Sequence, residues 1–310
     1  MPCIQQPVRA IRQHALGGPD VLVVEDVPRP DPGATEVLVR VAAAGVNPVD
    51  WKVRAAGGLL GEPPFTVGWD VAGVVEEVGM GVTWLAPGDR VFGMPRFPRE
   101  GACYAEYVAS PSRQLTRIPD GLSDLAAAAI PLAGLTAWQA LVDTAGVGEG
   151  SRVLVLGAAG GVGHFAVQIA KSRGAWVAGT SSAEKHGFLA GLGTDEALDK
   201  DEAIPVRDVD VVLDAVGGET GLGALPALRD GGLLVTVSAS AAGALRKEAG
   251  GRVRVEAILV EPDRAGLEGL AAAGLRPYIE HTFPLEAAGR AHELGEQGRT
   301  RGKIVLTVSD

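Results

Sequence analysis

Short runs of β-branched residues dominate the first third of the chain. Val21–Val27, Glu36–Ala44 and Val71–Val78 read as strands, and the valines at 37, 39 and 41 repeat with the period of two of a half-buried strand. Pro-Arg-Pro-Asp-Pro-Gly at 28–33 and Gly45, Gly68 and Gly79 punctuate them. Pro87-Gly88-Asp89 predicts a turn before a further strand at Arg90–Met94. Short strands so closely spaced predict a small β-barrel-like domain.

The pattern changes near Asp120. Ser123 caps a predicted helix that runs to Ala129. From Arg152 strands and helices alternate: strand Val153–Leu156, amphipathic helix Val162–Arg173, strand Trp176–Gly179 and helix Glu184–Gly191. Val209–Ala215 and Gly232–Val237 follow as buried strands, Arg254–Leu259 as an outer strand and Asp263–Ala273 as a helix. Such alternation predicts a doubly wound α/β domain. The tail carries a strand at Tyr278–Phe283, a helix from Leu285 to about Glu296 and a last strand at Lys303–Val308. Composition leaves open which domain the tail joins.

A length of 310 residues suits two domains. Net charge is −10, which argues against a binder of phosphate backbones, and the Trp and Phe residues are too scattered for a base-stacking platform. Cys3 and Cys103 are the two cysteines, too few for a disulfide framework or a four-cysteine zinc site, so a reducing, cytoplasmic setting is expected. No secretion signal is read around Arg9, Arg12 and His14. The uncharged stretch Leu125–Val142 is long enough for a membrane span, but Pro131, Gly134, Thr136 and Gln139 make it packed helices instead.

The 44 glycines have one sharp focus, Gly157-Ala-Ala-Gly160-Gly161-Val162-Gly163, set between an apolar strand and an amphipathic helix. A pyrophosphate needs that context: a tight turn for backbone approach, then free N–H groups at a helix start. Ala159, Gly160, Gly161, Val162 and Gly163 are therefore read as cofactor-binding. An NAD site would place an acid at the end of the next strand. Here Thr180-Ser181-Ser182 stands there with Lys185 close by, a set suited to a 2′-phosphate, which favours NADPH. Ser181-Ser182-Ala183-Glu184 also reads as a capping box, and Glu184 weakens the preference.

Several segments together resemble the quinone oxidoreductase, zeta-crystallin-like branch of the medium-chain dehydrogenases/reductases. They are Ala44-Gly-Val-Asn-Pro-Val-Asp-Trp-Lys52, Gly68-Trp-Asp-Val-Ala-Gly73, Pro87-Gly-Asp-Arg-Val91, Ala133-Gly-Leu-Thr-Ala137, the glycine loop, Asp210–Gly217 and Gly302-Lys-Ile-Val-Leu306. The resemblance implies a Rossmann domain at 122–274 and a discontinuous GroES-like β-barrel domain at 1–121 and 275–310, with the active site in the cleft between them. Zinc-dependent relatives place a cysteine near Asn47 and a His-Glu pair at Trp69-Asp70, so no metal is expected. Without a Lewis acid for alcohols, reduction of quinones or α,β-unsaturated carbonyls remains.

By the same resemblance, Asn47 and Thr136 lie near the nicotinamide ribose and carboxamide, Asn47 being alternatively a turn residue before Pro48. Asp50 is counted with the cofactor-binding residues and is read as holding the loop through backbone hydrogen bonds rather than as a base. Lys52 is read either as the donor to a substrate carbonyl or as a solvated rim lysine, and Tyr104 either as proton donor or as packing. Lys200 would support the 2′-phosphate, and Val216, Gly217 and Ser238 end strands on the cofactor side. Lys303 is either near the nicotinamide or a strand-edge charge. Asn47, Lys52 and Tyr104 are thus the catalytic candidates, and Cys103 is not a nucleophile. Two other functions stay open: NADPH binding without turnover, as in crystallin-type or RNA-associating members, and an enoyl reductase whose acyl carrier would meet a basic patch of Lys52, Arg54, Arg96 and Arg99. A homodimer through the outer Rossmann strand Arg254–Leu259 is expected by resemblance.

Overall fold

The computed structural model describes residues 7–308, so Cys3 lies outside the described residues. The chain forms two compact units. One takes the chain through Leu132, then Glu261–Ala271 and the stretch from Arg276 onward; the other takes Ala133–Val260 and Ala272–Leu275. The contacts therefore do not follow borders at 121/122 and 274/275. Helix Asp124–Ala128 packs on strands Glu36–Val46 and Val71–Val78. Most of helix Arg264–Ala272 also belongs to the first unit, where the Arg264 guanidinium stacks 3.7 Å from the Trp84 ring.

The first unit is built on a seven-stranded sheet. Its order is Ile279–Pro284, Lys303–Thr307, Glu36–Val46, Val71–Val78, Arg90–Gly93 and Leu115–Arg117, with Tyr107–Pro111 also pairing Glu36–Val46. The central strand is buried on both faces, Leu38 as well as Val37 and Val39, rather than half-buried. A three-stranded sheet of Val23–Val27, Val8–Gln13 and Phe65–Thr66 joins it through an Ala10–Ala105 bridge. The Val8–Gln13 strand escapes a reading of the sequence because Arg9 and Arg12 interrupt it. Arg9 lies outward, its Nε donating to Glu106 at 2.8 Å.

Helix Pro48–Ala56, which the sequence pattern does not announce beyond the alternative of a turn at Asn47, has a sound local cause. Asn47 is extended (φ −133°, ψ 155°), Pro48 opens the first turn, and the Asp50 carboxylate accepts the Asn47 backbone N–H at 2.6 Å. Gly57, at φ +75°, ends the helix.

The second unit is a six-stranded, wholly parallel sheet in the order Glu196–Asp199, Trp176–Ser181, Arg152–Leu156, Val209–Asp214, Leu228–Thr236, Arg254–Ala257. Chain order reverses between Arg152–Leu156 and Val209–Asp214, the switch point at which such sheets open a crevice. Helices Gly161–Ser172 and His186–Gly191 and the edge position of Arg254–Ala257 match the expected pattern. Among the described residues no helix is long and apolar enough to cross a membrane.

Candidate functional site

The glycine loop lies at the switch point of the second unit. Gly157 turns the chain at φ +70°, a conformation that L side chains rarely adopt. Its N–H donates to Thr180 Oγ1 (3.1 Å), and the Ala158 N–H donates to the Thr180 carbonyl (2.9 Å). Thr180 thus anchors the loop from beneath and is 3% exposed. Gly160 is the N-cap of helix Gly161–Ser172, with no side chain capping it. Gly163 must be glycine: a Cβ there would lie 2.2 Å from the Gly157 carbonyl oxygen and 2.6 Å from Ala158 Cα. A Cβ at Gly160 would meet only the Gly157 carbonyl, at 3.3 Å. The first-turn N–H groups have no partner inside a helix, and the positive end of the helix dipole lies here. This is a cradle for an anion, and it fits a dinucleotide pyrophosphate.

The second crevice loop is held by Asp214, which the sequence reading did not single out. One carboxylate oxygen accepts the N–H groups of Val216 (3.0 Å) and Gly217 (2.7 Å), and the other accepts the Thr236 hydroxyl (2.9 Å). Thr236 Oγ1 in turn accepts the Ser238 N–H (3.1 Å). A carboxylate ending an apolar strand was the available signal. Val216 is exposed, and its methyl lies 2.9 Å from where a Gly157 Cβ would stand, so the two loops abut. Thr136, of the same unit, is buried on helix Pro131–Trp138.

At the end of strand Trp176–Ser181 the expected capping box does not form. Ser182 begins a short 3-10 turn, Ala183–Lys185, without a side-chain cap, and its hydroxyl donates to Glu184 at 3.2 Å. Ser181 is nearly buried and donates to the Ser182 carbonyl. Ser182 and Lys185 are half-buried, and Lys200 of the same 2′-phosphate set is exposed. Lys200 lies beside this strand end, its backbone N–H donating to the Ser181 carbonyl (2.9 Å) and its exposed ammonium pairing with Asp201 at 2.8 Å.

In the first unit, Asn47 is the meeting point of two buried networks. Its side-chain Nδ2 donates to Asp70 at 2.8 Å, while Lys303 Nζ donates to Asn47 Oδ1 and, at 3.0 Å, to the Val46 carbonyl. Lys303 is 3% exposed on a strand paired on both sides, so it is not a strand-edge charge. Burial raises the Asp70 carboxyl, and the neighbouring Lys303 ammonium opposes that rise.

The second network runs through Asp50. Tyr104 Oη donates to Asp50 Oδ2 at 3.0 Å and lies 3.2 Å from His292 Nε2, and Arg54 Nη1 lies 3.3 Å from His292 Nδ1. Arg54 also donates to Glu296 at 2.7 Å. Asp50 and Tyr104 are fully buried, so Asp50 acts as a helix-start clamp rather than a cofactor contact, and Tyr104 is not placed to protonate a substrate. Burial pushes the Tyr104 hydroxyl up, with the Asp50 charge adding to it. His292, on helix Ala288–Glu296, was not singled out in the sequence; it lies 188 residues from Tyr104, and no local pattern marks it.

Lys52 is exposed on helix Pro48–Ala56. The proposed basic patch does not assemble. Arg54 is 2% exposed and paired with Glu296, and Arg96 is paired with Glu36. Cys103 is buried, its Sγ 3.6 Å from the Gly101 carbonyl, and burial raises its thiol well above the ordinary range. The residues at the zinc slot do not fit a metal. Asn47 and Asp70 are engaged with Lys303, and the buried Trp69 indole donates to the Arg99 carbonyl at 2.6 Å. Among the described residues no group of three or more His, Cys, Asp or Glu side chains is arranged to hold a metal ion.

Residues 33–120 match the family model of the alcohol dehydrogenase GroES-like domain, and residues 192–306 match that of the zinc-binding dehydrogenases. The rat (Rattus norvegicus) quinone oxidoreductase is 32% identical, over 98% of this chain and 99% of its own length. The solved quinone oxidoreductase of Coxiella burnetii superposes with a TM-score of 0.92 at 36% identity, covering 98% of this chain and 100% of that one. A mycobacterial protein solved in complex with NADPH superposes with a TM-score of 0.83 at 31% identity, covering 97% and 100%.

Proposed function

This chain belongs to the quinone oxidoreductase family of the medium-chain dehydrogenases/reductases, and on that premise we propose that it is a zinc-independent, NADPH-dependent reductase of quinones or α,β-unsaturated carbonyls. One observation carries the proposal: an anion cradle at Gly160–Gly163 is followed by a strand end that bears Ser182 and Lys185 where NAD sites carry an acid.

Bound NADPH supplies a hydride, and each turnover adds that hydride and one proton to the acceptor. Gly160, Gly161, Val162 and Gly163 hold the pyrophosphate through backbone N–H groups. Ser182 and Lys185 take the 2′-phosphate, and Val216, Gly217 and Ser238 border the cofactor at the second crevice loop. Asn47 and Thr136, 1% and 5% exposed, are the proposed contacts of the nicotinamide ribose and carboxamide. The Asn47 amide is already oriented: Asp70 fixes its nitrogen and Lys303 its oxygen. Such preorganisation removes the cost of orienting the amide during the reaction. Lys52, the exposed cation of that helix, donates to the substrate carbonyl. Where a zinc site would act as Lewis acid, this chain has an internal ammonium paired with a carboxylate, so the electron-poor acceptor must already be activated.

The deciding experiment measures NADPH oxidation by the purified chain with a series of quinones, enones and enoyl thioesters. Turnover with a quinone or enone, undiminished by a metal chelator, is expected. Tight NADPH binding with no oxidation by any acceptor would leave the binding-only function. Preference for enoyl thioesters would favour the enoyl reductase, against which the pairing of Arg54 and Arg96 stands. A cytoplasmic homodimer is proposed, joined at edge strand Arg254–Ala257 beside exposed Leu259; sedimentation tests it.

A further inference from the structure

A buried chain of hydrogen bonds ties the C-terminal helix to Asn47, and its polarity can be read from one end. A guanidinium can only donate. Arg54 Nη1, 3.3 Å from His292 Nδ1, therefore obliges that nitrogen to accept. A neutral imidazole that accepts at Nδ1 carries its proton on Nε2, which must then donate to Tyr104 Oη, 3.2 Å away. Tyr104 is left with its own proton for Asp50 Oδ2, at 3.0 Å, and the same oxygen accepts the Asn47 backbone N–H, at 2.6 Å. The imidazole is held sideways as well, edge-on to Trp51 and to Tyr104 with ring centroids 6.1 and 5.7 Å away. A doubly protonated ring would point an N–H at the Arg54 cation. Burial and that charge hold His292 neutral in the fold.

We infer that His292 is a positioning residue for the site: locked as its Nε2–H tautomer between Arg54 and Tyr104, it orients Tyr104 and Asp50 and so fixes the backbone of Asn47 at the start of helix Pro48–Ala56. Lys303 and Asp70 set the Asn47 side chain; His292 sets the main chain that carries it. Only the consequence for turnover rests on the proposed function. The hydrogen-bonded chain stands apart from it.

Two variants separate packing from polarity. His292→Phe keeps an aromatic ring but removes both polar ends, whereas His292→Gln restores one acceptor and one donor. Tyr104→Phe removes only the hydroxyl and serves if His292→Phe does not fold. Backbone hydrogen exchange at Asn47 is the direct readout. Exchange should quicken about tenfold or more in His292→Phe and Tyr104→Phe, the scale of losing support for a charge-assisted hydrogen bond, and largely recover in His292→Gln. In the native protein, long-range proton–nitrogen spectra should show a single protonated ring nitrogen on His292, Nε2. Protonated Nδ1, or Asn47 exchange unchanged in folded Tyr104→Phe, overturns the inference. Faster Asn47 exchange with unaltered kcat and KM would uphold the positioning and overturn instead the role proposed for Asn47 in the reaction.

Discussion

Lys303 Nζ and Asp70 Oδ2 lie 3.3 Å apart with both side chains buried, and Asn47 bridges them. Removing one member leaves the other charge without compensation. Lys303→Met should cost about 3–5 kcal/mol of stability, whereas the double change Lys303→Met with Asp70→Asn should recover much of it. Urea unfolding of the single and double variants measures this. Equal losses in both would show that the pair is not coupled.

The loop glycines should fail in different ways. At Gly160 a side chain meets little, so Gly160→Asp should keep its melting temperature while its carboxylate repels the pyrophosphate and weakens NADPH binding by about a hundredfold or more. At Gly163 even a methyl collides with backbone, so Gly163→Ala should lose both stability and binding. Thermal melts alongside NADPH titrations separate the two, and normal affinity in Gly160→Asp would remove the loop assignment.

Cofactor choice turns on the end of strand Trp176–Ser181. Lys185→Glu should reverse the preference for NADPH over NADH by placing a second acid beside Glu184. The ratio of kcat/KM for the two cofactors reads this directly, and an unchanged ratio excludes Lys185 from the 2′-phosphate site.

Two buried groups pull the pH dependence of stability in opposite directions. Burial, with Arg54 adding to it, lowers His292 from 6.5 to about 3. Between those values only the unfolded chain takes up that proton, so this contribution falls as the pH falls. Burial, with the Asp70 charge adding and the Asn47 and Tyr104 hydrogen bonds opposing, raises Asp50 from 3.8 to about 7. Between those values only the folded chain binds that proton, so this contribution grows as the pH falls and is lost as the pH rises through about 7. His292→Gln removes the first effect and keeps the second. Between about pH 4 and 6 the two effects oppose each other in the wild type, whereas the variant should lose stability with rising pH, by ~1.4 kcal/mol per pH unit relative to the wild type. Fluorescence-detected unfolding across that range tests it, and parallel slopes would refute it.

Cys103 should be inert in the native state. It is fully buried with its thiol held protonated, so in a Cys3→Ser background a thiol reagent should label it only as fast as the chain opens. Labelling that outpaces amide exchange in the core would contradict this.

The sequence by itself determined the parts of this protein whose causes are local. Runs such as Val71–Val78 match the observed strand, Ser123 caps its helix at the Ala126 N–H, and Gly157–Gly163 declares its turn and helix start through residues adjacent in the chain. Lys303, Tyr104 and Asp50 were legible as residues of interest but not in their roles. Asp50 and Tyr104 are 54 residues apart, Tyr104 and His292 188, and Lys303 and Asn47 256. Only the tertiary structure decided that these polar groups are buried together. Once water is excluded, each donor must find an acceptor within the fold, and that demand rather than sequence spacing turned a supposed proton donor into a strut and a supposed edge lysine into the counter-ion of Asp70.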